Sequence, residues 1–135
     1  MIKGILISVQ TKYIFFKGLN GQSSFDPELY GKYLTAINSF AHELSQERIK
    51  AIVMGNTTLY YHLIDEPSDI ILIVIADRYI KKEKVKPFID DIEDAFLNSY
   101  KVEEVVRHAS EPKYFDDFEA ALNIIAFKNL RQTSF

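Results

Sequence analysis

The longest unbroken apolar run in the chain extends from Ile70 to Ala76 and is rich in β-branched side chains. A turn that contains Pro67 precedes this run, and the charged residues Asp77 and Arg78 follow it. A short run of this kind predicts a strand that is buried on both faces, because a half-exposed strand would alternate apolar and polar positions. We therefore expect a sheet with helical cover on each side.

Four more segments have the composition of strands. Ile2 to Val9 and Lys12 to Lys17 are apolar, β-branched or aromatic, and together predict an N-terminal hairpin. Ile49 to Met54 and Thr57 to Ile64 predict two further strands across Gly55-Asn56, a dipeptide that suits a tight turn with positive φ. With the buried strand, the middle of the chain is predicted to be a three-stranded meander.

The first predicted helix follows the N-terminal hairpin and a loop. Asp26 is expected as its N-cap, Pro27 occupies the first helical position, and Glu28 lies beside the positive end of the helix dipole. Phe25 is placed to pack against Tyr30 as a hydrophobic staple. Apolar residues then recur at helical spacing and predict one stripe to about residue 45: Tyr30, Tyr33, Leu34, Ile37, Phe40, Ala41 and Leu44.

Two helices are predicted after the meander. The first of them begins near residues 83–86, because Pro87 fits only close to a first turn. Its apolar stripe comprises Val85, Phe88, Ile89, Ile92, Phe96, Leu97 and Tyr100. Lys101 to Ala109 is predicted to be a connector. The last helix is expected from about Glu111 to Leu130, with Ser110 as a cap and with Tyr114, Phe115, Phe118, Leu122 and Ile125 facing inward.

The predicted element order is β-β-α-β-β-β-α-α, a mixed α/β (α+β) sandwich with one helix on one face of a five-stranded sheet and two on the other. A length of 135 residues without an internal repeat or linker predicts a single domain, 1–135. The hydrophobic fraction of 47% excludes a disordered chain, and the net charge of -3 argues against a nucleic-acid-binding protein. The absence of Cys excludes disulfides and fits a cytoplasmic location.

Residue patterns for catalysis or for cofactor binding are weak. The loop at Gly18 to Gly21 lies between a predicted strand and a predicted helix, the position of a phosphate-binding loop, but Gln22 stands where a Walker loop needs Lys, so a plain connecting loop is preferred. None of His42, His62 and His108 has a second histidine at metal-ligand spacing. We therefore predict no catalytic residue, no bound cofactor and no metal, and expect a protein that is not an enzyme.

Two surfaces are candidates for binding. Edge strands expose unpaired backbone groups that can add a partner's strand, and Tyr13, Phe15, Lys50 and Ile52 lie on the strands expected at the edges. The alternative is that helices cover these aromatic side chains. A basic segment could contact an anionic membrane surface or an acidic partner, or could be a solvated loop; its residues are Arg78, Lys81, Lys82, Lys84 and Lys86.

The chain resembles the longin domain over nearly all of its length. The resemblance is carried by the N-terminal hairpin MIKGILISVQTKYIFFKG, by the end of the meander at Ile73 to Asp77, and by the segment Asp77 to Tyr79 with the later Phe88, Ile92 and Phe96. The resemblance implies five strands in the order 2-1-5-4-3, one helix on one side and two on the other. It also implies protein binding without covalent chemistry.

Longin domains occur in assemblies for vesicle trafficking and small-GTPase regulation. The resemblance therefore implies a stand-alone interaction module with protein partners: a small GTPase, a second longin or roadblock-type subunit, or a second copy of itself as a homodimer. Contact with the periphery of a membrane is a further possibility. The alternative is a small-ligand sensor of the PAS or GAF kind, because those domains also combine an early hairpin with a later three-stranded meander. An apolar pocket with convergent polar groups would favour the sensor.

Overall fold

The computed structural model describes residues 2–10, 12–19, 26, 32, 34, 36–37, 43–44 and 49–132, with side chains as far as residue 129. The strands are β1 (Ile2–Val9), β2 (Lys12–Gly18), β3 (Ala51–Met54), β4 (Thr57–Asp65) and β5 (Ile70–Asp77). The helices after the sheet are α1 (Lys82–Ser99), α2 (Val102–Arg107) and α3 (Phe118–Gln132), with a 3-10 turn at Pro112–Phe115 between α2 and α3.

The five strands form one antiparallel sheet in the order β2-β1-β5-β4-β3. This is the strand order that the longin resemblance implies. β5 lies at the centre, and its residues Ile70 to Ala76 are all buried, which confirms the prediction of a strand covered on both faces. Because successive side chains of a strand point to opposite faces, this single strand supplies apolar surface to both layers of the core.

The larger core layer joins the sheet to α1 and α3. Ile5, Ile7 and Val9 of β1 pack there with Leu72 and Val74 of β5. The helices contribute a set of fully buried side chains: Val85, Phe88, Ile92 and Phe96 from α1, and Phe118 and Leu122 from α3. Two helices on one face of the sheet agree with the predicted architecture.

The opposite face has a smaller described core. Leu6, Leu59 and Ile73 pack there against Leu34, which has helical backbone and is buried. The predicted first helix falls mostly on residues outside the described set, including Pro27 and Glu28 of its first turn, whereas its expected N-cap Asp26 is described and exposed. Of its predicted stripe, the described Ile37 and Leu44 are exposed rather than buried. The α+β sandwich is therefore established, whereas the complete longin arrangement of this helix stays an expectation.

Two predictions after α1 were wrong in detail. The expected connector contains α2, because Val105 is buried at its centre, while Glu103 in its first turn and Arg107 in its last complement the helix dipole. The last helix does not run continuously from Glu111, since the 3-10 turn comes first and α3 begins only at Phe118. Ser110 caps neither element.

Two glycines have defined structural reasons. A Cβ atom at Gly4 would lie 2.9 Å from the backbone carbonyl oxygen of Lys17, so β1 and β2 approach closely only because that position has no side chain. Gly55 turns the chain between β3 and β4 with φ of +56°, the left-handed conformation that glycine adopts without steric cost. The prediction of positive φ at this hairpin is confirmed.

Candidate functional site

The aromatic side chains predicted at the β2 edge take part in the core. Phe15 is only 7% exposed, and its ring meets that of Phe118 edge to face at a centroid distance of 5.3 Å. Tyr13 is half-buried and packs against the core layer on the opposite face of the sheet. α3 therefore covers Phe15 on one face of β2, so this predicted interface side chain belongs to the core.

The β3 edge differs, because apolar side chains are exposed on it. Val53 is 58% exposed and Met54 is 47% exposed, whereas the predicted interface residue Ile52 is half-buried against the core. Lys50, just before the strand, is exposed. Sequence reasoning placed β3 at an edge but chose Ile52, which alternates onto the covered face. The run of four apolar residues, Ala51–Met54, gave no local signal of this exposure, because such a run is typical of a strand buried on both faces.

A groove of about 750 Å³ opens where β4 continues beyond β3. One wall is the outer part of β4, and the other includes the beginning of α1. Lys50, Lys82 and Lys86 line this groove. The fold thus brings one predicted interface residue together with two members of the predicted basic segment.

Tyr60 and Tyr61 hold the β4 wall of the groove in place from opposite faces. The Tyr60 hydroxyl donates a hydrogen bond to the carbonyl oxygen of Ile80 at 2.9 Å, and the Tyr61 hydroxyl donates to that of Leu34 at 3.0 Å. Burial raises the pKa of both phenols, and the nearby Glu83 carboxylate contributes further to the raised pKa of Tyr60. Both side chains therefore stay neutral at ordinary pH and serve as structural anchors.

Charged pairs connect the two walls and the helix surface. His62 Nε2 lies 2.7 Å from Glu93 Oε2, which joins β4 to α1. Lys86 Nζ lies 3.2 Å from Asp90 Oδ2, one turn along α1. His108 lies elsewhere, stacked on Tyr114 with ring centroids 3.8 Å apart. In the described part of the chain, no group of three or more potential metal-ligating side chains comes together.

The remaining basic residues do not line the groove. Arg78, Lys81 and Lys84 are exposed around the turn that leads into α1. Tyr79, beside them, is 82% exposed. The predicted basic segment therefore divides into a groove part, Lys82 and Lys86, and an outward part that we call the turn patch, consisting of Arg78, Tyr79, Lys81 and Lys84.

The glycine loop that was considered for phosphate binding lies outside the described residues beyond Leu19. None of the helices within the described ranges has an apolar stretch sufficient to cross a lipid bilayer.

Comparison with protein-family models finds no match to this chain, and comparison with curated proteins finds none either.

Proposed function

We propose that this chain is a non-enzymatic protein-interaction module of the longin type that works in a vesicle-trafficking or small-GTPase-regulating assembly. The observation that carries the proposal is the β3 edge, where Val53 and Met54 expose apolar side chains beside an open strand. An exposed apolar edge strand adds a partner's strand readily, since main-chain hydrogen bonds and side-chain burial then act together.

The strand order β2-β1-β5-β4-β3 and the pair of helices on one face support the longin part of the proposal. The partner would be a second longin or roadblock-type subunit, a second copy of this chain, or a small GTPase. Pairing of β3 with a partner strand would bury Val53 and Met54 and extend the sheet.

Light scattering coupled to size exclusion tests this pairing, with the chain alone and mixed with longin or roadblock subunits. Val53→Lys and Met54→Lys place a charge on the edge and should abolish complex formation. Ile124→Lys is the matched control, because Ile124 is also apolar and 70% exposed but lies on α3, away from the edge. If Ile124→Lys abolishes complex formation as completely as the edge variants do, β3 is not the interface.

Immobilised small GTPases in their GDP, GTP-analogue and nucleotide-free forms test the GTPase arm. The proposal expects retention that depends on the nucleotide state. A wild-type chain that is monomeric at all concentrations, pairs with no longin or roadblock subunit and is retained on none of the GTPase forms would disprove the proposed function.

The turn patch supports a peripheral membrane contact as part of this function. Arg78, Lys81 and Lys84 are exposed and close in sequence to the exposed Tyr79, and such cations contribute roughly 1 kcal/mol each near an anionic bilayer. The wild type should sediment together with phosphatidylserine vesicles at low salt. The triple variant Arg78→Glu, Lys81→Glu, Lys84→Glu should stay in the supernatant. Equal behaviour of the two proteins would remove membrane contact from the proposal.

A further inference from the structure

The charges that line the groove beside β4 are unbalanced. Lys50, Lys82 and Lys86 line it with one carboxylate, Asp90. Asp90 lies within ion-pair distance of Lys86. Lys50 and Lys82 have no ion-pair partner among the described residues. The groove therefore presents two available ammonium groups to a ligand, and Glu83, on the same helical turn as Lys82, is not part of its lining.

The surface between these lysines is largely apolar. Leu63, Ile71 and the Tyr61 ring contribute on one face of β4, and Ile89 and the Tyr60 ring contribute on the face that α1 covers. Ile71 is buried, so it forms a fixed base on its face of the sheet rather than a mobile surface side chain. Burial of an aliphatic ligand side chain on such a base favours binding, because apolar surface is removed from water.

The groove also follows an edge of β4 along which the described residues leave backbone groups available for pairing. β3 pairs with β4 only as far as Tyr60, and the N–H of Tyr61 then donates to the carbonyl oxygen of Lys50 at 2.9 Å. Backbone groups on one edge of an antiparallel strand come from alternate residues, so those of Leu63 face the same edge. No described residue forms a hydrogen bond with the Leu63 N–H or C=O on this side.

We propose that this groove binds an extended acidic peptide segment of a partner protein. The peptide backbone pairs with Leu63, an aliphatic side chain packs beside Leu63 and Ile71 on the face of β4 opposite α1, and flanking carboxylates meet Lys50 and Lys82. This inference rests on the proposed function, because it takes the ligand to be part of a protein partner, and it adds a second contact next to the β3 edge.

A peptide fits these features better than a membrane surface does. Lys50 and Lys82 lie on the walls of a concave groove, whereas the turn patch is the outward-facing cationic surface. Backbone pairing at Leu63 requires a ligand with alternating donors and acceptors, which an extended peptide has and a lipid headgroup lacks.

Fluorescence polarisation with two labelled hexapeptides tests the proposal on the full chain at low salt. The peptide EDLDIE carries carboxylates around two aliphatic residues, and KKLKIK keeps the aliphatic residues with the opposite charge. The wild type should bind EDLDIE at least about tenfold more tightly than KKLKIK, a difference of roughly 1.4 kcal/mol. An EDLDIE analogue with methylated backbone nitrogens should also bind about tenfold more weakly.

Two double variants carry the same change in net charge. Together they distinguish binding in the groove from general electrostatic attraction of the peptide. Lys50→Glu with Lys82→Glu should weaken EDLDIE binding at least about tenfold, whereas Lys81→Glu with Lys84→Glu should change it less than about threefold. In the amide spectrum of wild type, the Leu63 signal should shift on titration with EDLDIE. Circular dichroism of both variants verifies that they are folded.

Three results would overturn the groove proposal: absence of EDLDIE binding up to about 1 mM, equal loss in the two double variants, or groove lysines that affect only the binding of phosphatidylserine vesicles. Separate measurements of partner pairing and of peptide binding distinguish failure of the groove proposal from failure of the proposed function. If wild type pairs with partner subunits but does not discriminate between the peptides, only the groove proposal falls. If peptide binding persists without any pairing or GTPase retention, the longin-type function falls instead.

Discussion

The imidazole Nε2 of His62 on β4 lies 2.7 Å from the carboxylate Oε2 of Glu93 on α1. This hydrogen bond joins the sheet to the helix across the end of the groove, between residues that are 31 positions apart. Both side chains are about one-third exposed or less. The pair therefore holds the two walls of the groove together, while solvent still screens part of its attraction.

A double-mutant cycle measures this connection. His62→Ala and Glu93→Ala, singly and together, should give a coupling energy between 0.2 and about 1 kcal/mol in urea unfolding, as for partly exposed pairs. The Lys86–Asp90 pair is the control, with an expected coupling of about 0.3–0.5 kcal/mol because both groups lie on one exposed helix surface. Strictly additive effects at His62 and Glu93 would show that the pair does not connect the walls.

The ring of Phe118 is central to the larger core layer, where it meets Phe15 and Phe96 edge to face. Phe118→Ala should lower the free energy of unfolding by about 3–5 kcal/mol, because it leaves a cavity between α3 and the sheet. Ile124→Ala, on the exposed side of the same helix, should change it by no more than about 0.5 kcal/mol. Similar losses in the two variants, measured by urea unfolding, would contradict the packing described for α3.

The close approach of β1 and β2 predicts a cost for any side chain at position 4. Gly4→Ala should destabilise the protein by about 1–3 kcal/mol, because the added methyl group would press on the backbone of Lys17. Gly55→Asn is the matched control: no atom lies within 4 Å of a Cβ at Gly55, and Asn tolerates a φ of +56°. A stability equal to that of wild type in Gly4→Ala would show that the hairpin register is different.

Ionisation of the Tyr61 phenol is expected to lower the stability of the folded protein in alkali. Burial raises its pKa in the folded protein, so the phenol ionises first in the unfolded chain. Its contribution to stability is complete below pH 10, the ordinary pKa, and declines above it by up to about 1.4 kcal/mol per pH unit.

Urea unfolding of the wild type and of Tyr61→Phe between pH 8 and the alkaline range measures this contribution. The phenylalanine variant should be less stable near pH 8, because its hydrogen bond to the Leu34 carbonyl is lost. The stability difference should narrow as the pH rises above 10. A difference that stays constant across this range would mean that Tyr61 titrates normally.

Much of the fold could be predicted from the sequence. β1, β2, β4, β5 and α1 appear within a few residues of their expected bounds. Their apolar periodicity is strong, because each element buries one or both faces and the local pattern records that burial. The short helix α2 was missed because six residues hold less than two full turns and only Val105 is buried in it.

The candidate site was predicted only in separate pieces. Lys50 was expected at an edge strand and Lys82 in a basic loop, but their meeting depends on where β3 stops pairing with β4 and on where α1 crosses the sheet. Likewise, the pattern around Phe15 predicted a strand without revealing that α3 covers it.

The amino-acid sequence by itself determined the strands and the long helix α1, since hydrophobic period and turn chemistry act over a few neighbouring residues. The tertiary structure decided which edge stays open, which aromatic side chains are covered and which charges face one another. Those outcomes depend on strand register and helix placement, and these are set by packing between residues far apart in the chain.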